Sequence, residues 1–126
     1  MKNGMILKAS VAALALGAAL VVTNRSSGAD EKTADKPQTI KGEVVDLMCY
    51  LDHGAKGPAH KACAEMCIKS GGPVGILSGD QLYLIVGEHK PINDQLAAKA
   101  AETVTVTGKV VERNGMKMIE NAQLEK

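Results

Sequence analysis

The chain has 126 residues, enough for one domain with its own core and little more. Its formal charge is +1, with 15 basic against 14 acidic side chains, and it has no Phe and no Trp. That balance leaves no electrostatic footprint for nucleic acid, and Tyr50 and Tyr83 alone offer almost no platform for base stacking.

At the N-terminus, Lys2 and Lys8 precede an apolar run over residues 9–22, which gives way to a small, polar stretch over 23–29. This is the n-, h- and c-region order of a secretory signal peptide, and Ser27 and Ala29 put small side chains at the −3 and −1 positions of a cleavage after Ala29. The alternative is an uncleaved, tilted membrane anchor, although the run is shorter than the ~20 residues that span a hydrocarbon core. No Cys directly follows the run as a lipid attachment point, and no twin-Arg pair precedes it. The expectation is therefore export in the unfolded state, to a periplasmic or extracellular location, with any cofactor acquired there. Removal of residues 1–29 takes away three bases and no acid, moving the formal charge from +1 to −2.

Residues 30–38 are charged, small and broken by Pro37, which predicts a flexible linker before a domain over residues 39–126. Residues 40–48 are rich in β-branched and apolar side chains and predict a strand, with a bulge at Gly42. Glycines over 51–57 predict a loop, and Pro58 then suits the first position of a helix running to Lys69. Ser70-Gly71-Gly72-Pro73 ends that helix. Two short apolar runs, 74–77 and 81–86, flank Ser78-Gly79-Asp80 and predict a hairpin. An alanine-rich helix is expected over 93–101, with Asn93 as its N-cap. Strands over 103–112 and 116–124 flank Asn114-Gly115, the strongest short hairpin signal.

This order predicts a mainly β fold with two short helices: a five-stranded, OB-like Greek-key barrel with a helix between its third and fourth strands. Ile40-Lys-Gly-Glu-Val-Val-Asp46 and Val106-Thr-Gly-Lys-Val-Val-Glu112 read alike, as two similarly bent barrel strands. In this pattern residues 39–124 resemble small exported bacterial OB-fold proteins, with a Cys/His insertion at about 49–72 after the first strand. The resemblance implies the fold and assigns no activity.

The insertion carries the chemistry, because residues 49–67 hold all three cysteines and two of the three histidines. On a helix starting at Pro58, His60, Cys63 and Cys67 fall within an arc of about 60°, and the two cysteines stand ~6 Å apart along the axis, close enough to chelate one ion. His60 and Cys67 are ~10 Å apart on such a helix, so one ion reaches both only if the helix starts late or the imidazole bends inward. His53, on the expected loop, is the other candidate. The candidate ligand set is thus Cys49, Cys63 and Cys67 with His53 or His60.

Three thiolates and an imidazole suit tetrahedral Zn²⁺, and soft donors beside Met48 and Met66 suit Cu(I) equally. A carrier, sensor or structural role fits either ion. Covalent haem is disfavoured by the lack of Cys-x-x-Cys-His. The competing reading is a disulfide from Cys49 to Cys63 or Cys67, worth roughly 3 kcal/mol for such a loop. That disulfide would staple a module that meets another envelope protein and leave one thiol spare. Thiol redox chemistry ranks below both, without a Cys-x-x-Cys. A closed four-ligand site, together with the lack of a Ser/His/Asp set, a phosphate loop or paired carboxylates, argues against an enzyme. Asp46 and Asp52 are candidates to orient a ligand, His89 reads as a surface residue, and Met116 and Met118 read as core filling.

Overall fold

A computed structural model of the chain describes residues 36–126; the expected export signal and most of the linker fall outside the described residues. Strand β1 (Gln38–Asp46) leads into helix α1 (Leu47–His53), a 3₁₀ turn (Pro58–His60) and helix α2 (Lys61–Lys69). The hairpin β2 (Val74–Ser78) and β3 (Gln81–Ile85) follows, then helix α3 (Asn93–Ala97) and the long hairpin β4 (Thr103–Arg113) and β5 (Met116–Leu124).

The five strands close into a barrel in the order β1-β2-β3-β5-β4. β1 serves two neighbours: Gln38 to Glu43 pair with β4, and Glu43 to Asp46 pair with β2. A parallel contact of β3 with β5, Leu84 with Met118 and Ile85 with Ile119, closes the ring. The structure is thus the small, mainly β, OB-like barrel that the strand order predicts.

Alternation along β1 explains why the helices lie where they do, since successive side chains of a strand point to opposite faces. Val44 joins the main core with Ile76, Val106 and Ile119, and Ile68 of α2 and Leu96 of α3 enter the same cluster. Val45 points the other way and packs with Leu47 and Leu77, against which Tyr50 of α1 rests. Both faces of the end of β1 are therefore covered, and α1 and α2 are anchored on it from opposite sides.

Four expectations are corrected. Gly42 is not a bulge: β1 stays in register with β4 through the pair Gly42 and Val104, and the register shift falls in the β4–β5 pairing, where Thr107 to Lys109 faces the longer stretch Gln123 to Glu120. Glycine is required at 42 by close approach, because a Cβ there would sit 2.4 Å from the Leu77 carbonyl oxygen. The second expected helix is cut short at Ala97 because β1 captures the chain that follows: the Ala101 N–H donates to the Val44 carbonyl and the Val44 N–H to that of Glu102, both at 2.9 Å. Asn93 opens α3 without capping it. Its side-chain amide instead donates to the carbonyls of Ile68 and Gly72, at 2.8 Å each, tying the end of α2 to α3. The fourth correction is α1 itself, a helix where the end of a strand and a loop were expected.

Candidate metal centre

Helix α1 begins because Asp46 caps it. The Asp46 backbone is extended, and its wholly buried carboxylate accepts the N–H groups of Met48 at 3.2 Å and Cys49 at 3.3 Å. The Leu47 N–H still donates to the Pro73 carbonyl at 3.0 Å, in register with the β1–β2 pairs before it, so α1 starts directly from the end of the ladder. Gly54, with φ of 71°, closes the helix by returning its N–H to Tyr50. Cys49 and His53 therefore lie on a helix rather than at a strand end and on a loop. A signal was present, an N-capping Asp ahead of Leu-Met-Cys-Tyr-Leu and a Gly just past its end, but the apolar run also continues the strand pattern.

Past Gly54 the chain is drawn back to the barrel, where the Glu43 carboxylate accepts the Gly57 N–H. Pro58 starts a 3₁₀ turn and not the α-helix, so α2 begins late, at Lys61, and His60 projects from the turn before it. Lys61 bonds Glu102 at 2.6 Å, and Lys99 reaches the same carboxylate at 3.4 Å. The hydrogen bond from Lys61 and then that from Lys99 hold the Glu102 carboxyl below the usual carboxylate range. Behind the cysteines the chain returns tightly: a Cβ at Gly72 would lie 2.8 Å from the Cys67 carbonyl oxygen and 3.6 Å from the Asp46 carboxylate.

These elements bring the Sγ atoms of Cys49, Cys63 and Cys67 within 4.8 Å of one another. A carboxylate oxygen of Asp46, Cys49 Sγ and a ring nitrogen of His60 form a second group within the same limit, so Cys49 belongs to both. The Nε2 atom of His60 is buried with no hydrogen-bond partner. Such an orphan costs about 1–3 kcal/mol and calls for an ion or water. His53 lies outside both groups. Its ring is 57% exposed, its Nδ1 lies 3.2 Å from Asp52, and it meets the His60 ring edge-on at 6.4 Å between centroids.

Two of the thiols are shifted by their surroundings. Cys49 is pushed up to about 12, first by its hydrogen bond to the Asp46 carboxylate, then by partial burial and the charges of Asp46 and the other two cysteines. Burial and then the Asp46 charge also raise Cys67. An ion that takes these sulfurs displaces their protons. All three cysteines are free thiols, with Cys63 exposed and the other two half-buried.

The remaining candidates are dispersed. His89 is an exposed loop residue, and Asp52 reaches His53 alone. Met116, expected in the core, is 69% exposed, and Met118 is half-buried. Met116 lies at the tip of the last hairpin and, with Met48, Leu51, Leu82 and Lys117, lines an apolar groove of about 560 Å³ beside α1. Three cysteines and a His/Asp group thus lie close enough to bind a metal ion. No protein-family model matches this chain, and no curated protein or solved structure matches it.

Proposed function

We propose that this chain is a small exported protein that binds a soft transition-metal ion, zinc or copper(I), as a carrier, a sensor or a structural centre. Cys49, Cys63 and Cys67 are the primary ligands, and His60 supplies a nitrogen donor on the Cys49 side. The observation that carries this reading is the convergence of three Sγ atoms within 4.8 Å from two helices. A disulfide would consume two of these thiols and strand the third, whereas one ion takes all three. The raised Cys49 and Cys67 thiols count against thiol redox catalysis by these two residues, which needs a thiolate near neutral pH. The unpartnered His60 Nε2 supports His60 over His53 as the nitrogen donor. Support for export is the N-terminal sequence pattern alone.

Titration of the reduced, metal-free protein with Zn²⁺ and with Cu(I) tests the reading. Stoichiometric binding is expected, abolished by Cys63→Ser and weakened about 10–100-fold by His60→Ala, while His53→Ala leaves it unchanged. Undiminished binding in Cys63→Ser, or an oxidised protein with one titratable thiol and no bound metal, would overturn it.

A further inference from the structure

The cluster is not closed equally on all sides. Asp46 is fully buried, the His60 Nε2 atom has no exposure, and Cys49 and Cys67 are half-covered. Cys63 alone is exposed, so the open side of the site is the outer edge of α2. Met66 stands on that edge, 66% exposed, one turn after Cys63 and immediately before Cys67. Residues three apart on a helix have Cβ atoms about 5–6 Å apart, so the thioether of Met66 flanks the exposed thiol. Its setting is distinct from that of the other exposed large apolar residues among the described residues. Met48, Leu51 and Met116 line the groove beside α1, and Met66 does not.

The nature of the donors bears on which ion uses this opening. The three sulfurs form a complete group by themselves, while the His60 nitrogen is grouped with Cys49 and Asp46 and not with Cys63 and Cys67. A three-sulfur set suits a soft monovalent ion that accepts three ligands. Zinc takes four, drawn from Cys, His and carboxylates, and a thioether is not among its usual donors. Thioethers and thiolates together are the donors of Cu(I).

Resting on the metal-binding reading above, we propose that the ion is Cu(I) and that Met66 and Cys63 form the face through which it is exchanged with a soft-donor carrier, a thiol or thioether ligand. In loading, Met66 Sδ binds Cu⁺ as a carrier sulfur leaves it. Cys63 Sγ then displaces the thioether and gives its proton to solvent, and Cys67 and Cys49 follow, each releasing one proton. Copper stays Cu(I) throughout, and no electron is transferred. Unloading reverses these steps onto the acceptor.

The test is transfer of Cu(I) from the anaerobic, reduced full chain to the chelator bathocuproine disulfonate, followed by stopped flow for the wild type, Met66→Leu and Met48→Leu. Leucine conserves size and removes the sulfur. All three proteins are expected to hold Cu(I) stoichiometrically, with transfer slowed about tenfold in Met66→Leu, a loss typical of removing one supporting group at a metal site, and unchanged in Met48→Leu. Zinc affinity should be the same in Met66→Leu as in the wild type. Transfer from Met66→Leu at the wild-type rate, equal slowing in both variants, or a wild type that takes zinc and refuses Cu(I) overturns the proposal and leaves the metal-binding reading standing. A wild type that binds neither ion overturns both.

Discussion

Asp46 links the barrel to the thiol cluster at the scale of one residue. It is the last residue of β1 and is fully buried, its carboxylate accepts two α1 N–H groups, and it lies within 4.8 Å of Cys49 Sγ. Asp46→Ala removes the cap and should cost about 1–2 kcal/mol, seen as a lower urea midpoint. Asp46→Asn keeps an acceptor of equal capping quality and should recover most of that loss. Metal affinity should fall in Asp46→Ala, because Cys49 rides on the helix that Asp46 starts. Of these residue-scale features the sequence showed the donor types and their crowding into residues 49–67. It left His53 and His60 as alternatives, because which imidazole lies beside Cys49 depends on how the 3₁₀ turn at Pro58 meets α1, a contact between elements.

At the scale of elements, the position of α2 is set from outside its own sequence. Asn93 ties its end to α3, and Glu102, just ahead of β4, accepts ion pairs from Lys61 and Lys99. The Glu102 carboxyl is held below its usual value of 4.5, so its stabilising effect is complete above pH 4.5 and is lost as pH falls through its lower, folded value. Glu102→Gln should therefore lower the thermal midpoint slightly at pH 7, and the gap to wild type should close as the pH is taken well below 4.5. The effect is small because both lysines and the carboxylate are open to water. A constant gap down to pH 2 would show that the substitution acts through packing. Helix existence was legible for α2, whose helix formers and Gly-Gly-Pro stop are local signals although Pro58 opens the 3₁₀ turn ahead of it, and the strands were legible from their alternation and turns. Helix α3 was legible in place but not in length, because hydrogen bonds to Val44 capture the chain after it, and helix α1 was not legible, because its apolar run also continues the strand pattern of β1.

The whole molecule separates a scaffold from a site. The barrel core is filled by β-branched and Leu side chains, with Ile119 fully buried beside the β3 and β5 closure. Ile119→Ala should cost about 2–5 kcal/mol in denaturant unfolding. Metal stoichiometry should persist in the folded fraction, because the ligands stand on α1, the 3₁₀ turn and α2 outside the ring. Loss of binding with the barrel intact would show that the two are coupled. The sequence by itself determined the strand order, the barrel class and the cluster of soft donors, since strand alternation, turn glycines and residue type are local properties of the chain. The tertiary structure alone decided that Cys49 sits on a helix, that the three sulfurs meet, that His60 Nε2 is left buried and unpartnered, and that Cys63 faces outward. Each of these depends on where the end of β1 docks two helices separated by a loop, and that docking is set by long-range hydrogen bonds and packing that no local pattern encodes.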